Sequence, residues 1–368
     1  MSQTKDPNTE LEKAFIQLVS DQTGLKLVKS DQENLKRFIL RRSKYLGFSN
    51  LEIYYYLLRT RTDQSREEWE SIVTEITNPE SFFFRDKGQF KLLKEYLIPN
   101  LIQQKSRDKT LRICSAGCST GQEPYSIAIL LRELIPDLAD WNLTILGVDI
   151  NPISIEKARK GIYHRWSFRG LNEDVKQQFF QRSKDRYYLV ENIKNLVDFR
   201  TVNLLKDSFS DSEIDIQNMD LIVCRNVFIY FDDMAVKHVL NKFHDALNLS
   251  GYLLTGHSEL YNQDLSQFKI RMFDESTAYQ RISAHSIYSM SEQFSTQSSF
   301  FLPPKLSMEA QDQESLKLLE KSDFHIQKIM LTLLKHLPAD TRISRLGNLT
   351  ASELISQYEK FNFIEVKQ

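Results

Sequence analysis

Residues Leu111–Tyr125 read LRICSAGCSTGQEPY, and their order decides the fold. Leu111–Cys114 is a short apolar run of strand character, and small residues holding Gly117 and Gly121 follow it. Pro124 then opens the amphipathic run SIAILLREL. Glycine permits positive φ and close approach of a ligand to the backbone. Proline suits a first helical turn, where its missing N–H costs nothing. Strand, glycine turn and helix N-terminus in succession make a cradle for a nucleoside-bearing ligand.

Outward from the cradle, strands and helices alternate from Thr110 to Ile282. LTILGVDI is an apolar strand carrying Asp149 at its end, and Pro152 starts a helix through Lys160. LVDFRTVNLL leads to Asn203, MDLIVCRNVFIYF leads to Arg225 and Asn226, GYLLTGH is a further strand, and FKIRMFDESTAYQRI reads as a closing hairpin. Repeated βα units predict an α/β fold with a parallel sheet, right-handed crossovers and helices on both faces. Ligands of such sheets sit at the carboxyl ends of the strands. Gly117, Gly121, Asp149, Asn203, Arg225 and Asn226 all fall there. Asp149 is placed to accept hydrogen bonds from ribose hydroxyls; the alternative is a helix cap before Asn151 and Pro152.

Upstream, residues 10–76 repeat apolar positions at three- and four-residue steps, which predicts a small helical domain. Its second helix, ENLKRFILRRSKYLGF, surrounds an apolar stripe with Lys36, Arg37, Arg41, Arg42 and Lys44, and Gly47 is a helix stop. The basic face is either simply solvated or a docking surface for an acidic partner. Residues 77–109 read as a linker and helix, because Asn78 and Pro79 break one helix before another starts near Asp86. Phe82, Phe83 and Phe84 cannot share one helical face, so at least one should cover a ligand or a domain junction. Beyond residue 282, 283–312 is Ser- and Gln-rich and reads as a linker. Residues 313–368 read as a helical appendage, with a Thr350 to Glu353 capping signal.

Lys plus Arg, 48 residues, nearly cancels Asp plus Glu, 49, so no global polycation argues for nucleic acid. No stretch approaches the roughly 18–20 apolar residues of a membrane span, and no signal segment is legible. The expectation is a cytoplasmic monomer that binds no metal: Cys114, Cys118 and Cys224 form neither a disulfide framework nor a ligand set.

Glycine turn and acidic strand end alone do not separate NAD from S-adenosylmethionine, although Gly117, Gly121 and Asp149 lack dinucleotide spacing. ITNPESFFFRD, CSAGCSTGQEPYSIA, LGVDIN, VNLL, DLIVCRNVFIYF and GYLLTGHSE, in this order, resemble the CheR family of chemoreceptor glutamate methyltransferases over roughly residues 10–282. The resemblance implies a class I, Rossmann-like methyltransferase domain over 110–282 behind a helical receptor-docking domain. It implies S-adenosylmethionine as cofactor, S-adenosylhomocysteine as product, and methyl transfer to glutamates of a receptor's cytoplasmic helical bundle. On the matching positions, Arg85 and Tyr230 are catalytic. Ser81, Arg85, Gly117, Gly121, Glu123, Asp149, Asn203, Leu204, Arg225 and Asn226 bind the cofactor. Lys36, Arg37, Arg41 and Arg42 then meet an acidic methylation region, which recruits the protein to membrane receptors. Pro79 stands where the family often has Asn, with Asn78 displaced by one. Residues 182–199 lack the glycine-bearing loop of members that grip a receptor's C-terminal peptide, which implies weak or absent tethering. An amide or nucleobase N-methyltransferase is a poor alternative, since RNVFIY lacks both prolines of that motif. A non-catalytic module that senses S-adenosylmethionine or docks receptors stays open.

Overall fold

The computed structural model describes residues 7–274 and 276–283, with the short pairs 342–343 and 349–350. Contacts divide the chain into one unit up to Glu292 and a second from Gln293. In the first unit, α1 (Pro7–Thr23), α2 (Lys29–Tyr45), α3 (Leu51–Leu58) and α4 (Asp63–Ile76) pack around Phe15, Val19, Leu35, Phe38, Tyr54 and Ile72. Gly47 ends α2 by taking φ +72°, a conformation that a side chain resists.

One expected docking residue is turned inward in this bundle. Arg42 donates to both oxygens of Glu68, which is only 2% exposed and also accepts from the Tyr54 hydroxyl at 2.9 Å. A buried carboxylate needs such partners, so Arg42 serves the interior rather than the surface. Lys36 and Arg41 stay exposed, paired with Glu12 at 2.6 Å and Glu75 at 3.4 Å. Arg37 donates to Asn34.

After the linker, α5 (Lys87–Leu92) passes through a π turn (Leu93–Leu97) into α6 (Ile98–Gln104). Pro99 explains the wide turn: it has no N–H to give, and its ring crowds the carbonyl one turn back. The sheet follows, with β1 (Thr110–Ala116), α7 (Gln122–Leu134), β2 (Asn142–Asp149) and α8 (Pro152–Lys160). Next come β3 (Ile162–His164), α9 (Glu173–Phe179), β4 (Phe180–Ser183), β5 (Arg186–Leu189), α10 (Glu191–Lys194) and β6 (Val197–Thr201). The unit closes with β7 (Met219–Cys224), α11 (Asp233–Ala246), β8 (Leu247–Thr255), β9 (Phe268–Phe273) and β10 (Ser276–Arg281).

The main sheet runs β6-β2-β1-β7-β8-β10-β9. Its first five strands are parallel, and β10 is antiparallel to both neighbours. The closing hairpin therefore enters second strand first, leaving β9 at the edge. The doubly wound α/β expectation holds, with apolar layers on both faces of the sheet.

A three-stranded antiparallel sheet, β3-β5-β4, stands apart from the main one and was not legible as strands. Phe180, Tyr187 and Tyr163 turn inward from it onto Phe83 and Phe168. Its hairpin turn is short, with Lys184 at φ +55°. In the second unit, β11 (Arg342–Ile343) pairs antiparallel with β12 (Leu349–Thr350). Thr350 thus ends a strand, and the rest of the expected helical appendage lies outside the described residues.

Candidate active site

Between β1 and β7 the strand order reverses, and connections leave to opposite sides, which opens a crevice at the strand ends. A cavity of about 320 Å³ lies there. It is lined by Ser81, Arg85, Gly117, Glu123, Asp149, Asn203, Leu204, Arg225, Asn226 and Tyr230. Of the residues expected from the sequence, Gly121 alone stands off the lining. It caps α7 at φ +90°, and a Cβ there would meet Ala158 Cβ at 2.8 Å, so its role is to seat α7 against α8.

The cradle is bound to its neighbour strand. The N–H groups of Gly117 and Cys118 donate to the Val148 carbonyl at 2.8 and 2.9 Å. Gly117 has φ +74°, and a Cβ on it would lie deep inside Val227 Cγ2. Asp149 Oδ2 accepts from Ser119 N–H at 2.8 Å and Oδ1 from Asn151 N–H at 2.9 Å. The cap on α8 is Asn151, which accepts from Ile153 and Ser154 N–H. Asp149 is thereby left with a spare lone pair on each oxygen. Burial pushes its carboxyl up from the usual aspartate range, and the Asn151 and Ser119 amides oppose this.

Arg225 is buried, and each of its three side-chain nitrogens is engaged. It donates to Gln89 Oε1, to Glu123 Oε2 at 3.1 Å and to the Arg85 carbonyl. Glu123 Oε1 accepts from Ser115 Oγ at 2.8 Å. Desolvation raises the Glu123 carboxyl, and the Arg225 charge counters it. Arg225 therefore ties the linker to the sheet while lining the pocket. Asn203 is similarly committed: Nδ2 donates to the Gln22 carbonyl at 2.7 Å, and Oδ1 accepts from Leu205 and Lys206 N–H. Its backbone is committed as well: the N–H donates to Asp207 Oδ2 at 2.8 Å, and the carbonyl accepts from Lys206 and Asp207 N–H. Lys242, unnoticed in the sequence, fixes that turn by donating to the Leu204 and Asp207 carbonyls, and desolvation lowers its pKa to about 8.

The linker is stitched across the strand ends. Ser119 Oγ donates to the Pro79 carbonyl at 2.8 Å, Asn151 Nδ2 to Thr77 Oγ1 at 2.8 Å, and Phe84 N–H to Ser126 Oγ at 3.0 Å. Both Asn78 and Pro79 reach the pocket, but Asn78 Oδ1 accepts from Glu80 N–H. The three Phe divide as geometry requires. Phe83 is buried against the small sheet, Phe84 packs on Phe90, and Phe82 lines the pocket beneath Arg169 at 3.8 Å. Arg85 stands between Phe84 at φ +53° and Asp86 at φ +69°. Left-handed backbone at a non-glycine costs about 1–2 kcal/mol, and its concentration here aims Arg85.

Sequence reasoning missed one wall. The stretch after α1 crosses the pocket: Lys26 N–H donates to the Tyr230 carbonyl at 2.7 Å, Asp232 N–H to the Gly24 carbonyl at 3.2 Å, and Leu25 bridges Phe231. Thr23, Leu25, Lys26 and Leu27 line the cavity. The alternation in Leu25-Lys26-Leu27 after Gly24 was the available signal. Tyr230 is 45% exposed at the mouth. Among the described residues no group of three metal-ligating side chains forms a metal site, and no helix is long and apolar enough to cross a membrane.

Sheet order, glycine cradle and a partly buried acid ending the second strand define a class I S-adenosylmethionine-dependent methyltransferase. Residues 79–276 match the family model described as "CheR methyltransferase, SAM binding domain". The chain belongs to the CheR methyltransferase family. Chemotaxis protein methyltransferase 2 of Vibrio cholerae is 32% identical over 256 residues, 67% of this chain and 86% of that one. The chemotaxis protein methyltransferase of Borreliella burgdorferi is 32% identical over 260 residues, covering 70% and 88%. That of Escherichia coli K12 is 30% identical over 259 residues, covering 69% and 86%.

S-adenosylmethionine is the cofactor, and the residues present fit it. The free lone pairs of Asp149 suit two ribose hydroxyls, the bare Gly117 admits close backbone approach, and about 320 Å³ falls within the range of small-ligand pockets.

Proposed function

We propose that this methyltransferase esterifies glutamate side chains in the cytoplasmic helical bundle of chemoreceptors. One observation carries the reading. Arg85 lines the mouth of the cavity, and the only hydrogen bond of its guanidinium among the described residues is to a backbone carbonyl, that of Glu80 at 3.3 Å. Arg225, by contrast, has each of its three side-chain nitrogens bonded to a protein acceptor. An arginine fork without a carboxylate partner beside the donor pocket is a seat for an acceptor carboxylate.

Bound in the pocket, S-adenosylmethionine supplies an electrophilic methyl on a sulfonium. A glutamate carboxylate, with a reference pKa near 4.3, is already ionised at neutral pH, so no base is required. His257 accords with this, since its Nε2 lies 2.7 Å from Asp86 Oδ2 rather than in the pocket. Arg85 orients the acceptor, Tyr230 confines it from the mouth, and rate comes mainly from alignment. Asp149, Asn203 and Leu204 hold the nucleoside side; Ser81, Glu123 and Asn226 line the remainder. The exposed pairs of Lys36 and Arg41 are weak enough to exchange for receptor carboxylates, and with Arg37 they form the docking face. The protein then works on the cytoplasmic side, recruited to receptors, and the short β4–β5 turn fits weak peptide tethering.

The test is incubation of purified protein with methyl-labelled S-adenosylmethionine and receptor-containing membranes. Base-labile label on receptor glutamates is expected, reduced by Arg85→Ala and Tyr230→Phe without loss of folding. Cofactor binding without transfer would instead identify a sensing module.

A further inference from the structure

Arg85 and Tyr230 lie on separate segments, the linker and the turn after β7, and something must set their spacing. The loop after β8, residues 256–259, touches both. On one side, His257 Nε2 meets Asp86 Oδ2 at 2.7 Å, while Asp86 Oδ1 caps α5 by accepting from Gln89 N–H at 3.1 Å. Asp86 directly follows Arg85 in the chain. On the other side, Glu259 is folded back under the turn that carries Asn226 and Tyr230. Its Oε2 accepts from Gly256 N–H at 2.6 Å, and its Oε1 is buried with no hydrogen-bond partner. Burial raises its carboxyl pKa, and the N–H groups of Gly256, Ile229, Asn226 and Val227 oppose the rise. The turn itself is strained, with Asn226 at φ +59°, and so is the loop, with Ser258 at φ +62°.

Gly256 makes this possible. A Cβ there would fall 2.7 Å from Glu259 Oε2 and 3.3 Å from the Asn226 nitrogen, so any side chain would displace the carboxylate from the turn. Gly256 packs against the Asn226 nitrogen and donates to Glu259 Oε2, so the carboxylate it seats is the support beneath the turn. The same short loop thus grips the two opposed walls of the mouth.

We propose that Gly256–Glu259 is a bracket fixing the distance between Arg85 and Tyr230: His257 holds the linker wall through Asp86, and Glu259 holds the turn. Both are positioning residues, and the assignment rests on the roles proposed for Arg85 and Tyr230.

Double-mutant cycles on the methyl-transfer rate test it. Glu259→Gln keeps size and removes charge; it should lower kcat about tenfold or more in the native background and less than about twofold in Tyr230→Phe. His257→Ala should behave likewise toward Arg85→Ala, and His257→Gln, which retains an N–H donor for Asp86, should restore most of the rate. Gly256→Ala should reproduce Glu259→Gln. KM for receptor should change far less than kcat, and thermal unfolding should show each variant folded at the assay temperature. Equal losses in both backgrounds, or losses that track the unfolded fraction, overturn the bracket alone. Unchanged rates in Arg85→Ala and Tyr230→Phe overturn the site reading and the bracket together.

Discussion

Gly117→Ala isolates what the glycine turn contributes to donor binding. Two penalties follow from the geometry. The backbone sits at φ +74°, and a left-handed alanine costs about 1–2 kcal/mol. The new methyl would also overlap Val227 Cγ2, and overpacking of this kind costs about 1–3 kcal/mol. Val227 belongs to the turn that holds Asn226 and leads to Tyr230, so relief by movement displaces the donor's opposite wall. Together about 2–5 kcal/mol is divided between weaker donor binding and lower stability, and each 1.4 kcal/mol in binding is tenfold. Calorimetric titration with S-adenosylhomocysteine should show at least about tenfold weaker affinity, with thermal unfolding accounting for the remainder. Val227→Ala in the same chain removes the overlap and should recover the steric share, leaving the backbone share of about 1–2 kcal/mol. Native affinity and stability in Gly117→Ala, or no recovery in the double variant, would refute the reasoning.

Asp149 offers a pH test in which affinity and stability move in opposite directions. Because burial raises its pKa above 3.8, donor affinity should fall on acidification at a higher pH than an ordinary aspartate would dictate. Stability has the other sign: the folded state holds the proton more tightly, so this group's contribution is lost as pH rises from 3.8 through the raised value. Calorimetry from pH 4 to 8 should show the slope in the native protein and a flat, weak profile in Asp149→Asn; a flat native profile overturns the ribose assignment. On α2, Arg42→Met strands Glu68 and should destabilise by about 2–4 kcal/mol in chemical unfolding without altering receptor KM in the folded protein. Lys36→Glu and Arg41→Glu should do the reverse, leaving Tm unchanged and raising receptor KM, and Tm losses there would deny the docking face.

Sheet and cradle were legible because each rests on local chemistry. Apolar runs ended in Gly117, Asp149 and Arg225, and strand ends of a parallel sheet converge. Pro152, Gly47 and Asp86 marked helix limits through backbone effects that a single residue exerts. What escaped the reading depends on distant partners. Nothing near Arg42 announces that Glu68 is buried, since that pairing crosses two helices. Asn203 resembles a ligand contact until Gln22 arrives from the first helix. Strands β3, β4 and β5 are short and mostly polar outside Phe180, Tyr187 and Leu189, so their period is too brief to register. Glu259 gave no pattern at all, because the donor that meets it is a backbone N–H, that of Gly256.

The bridge between Leu25 and Phe231 has a consequence for how the protein matures. Contacts between chain segments so far apart close late, because long loops carry a large entropic penalty and high contact order slows folding. The sheet can therefore form with its pocket still lacking the side that the stretch after α1 supplies. Donor that binds only the completed form draws this docking forward, by about 2.7 kcal/mol at a hundredfold excess over Kd. S-adenosylmethionine then acts on its own enzyme as a folding ligand, and an adequate supply of methyl donor favours a fully assembled catalyst.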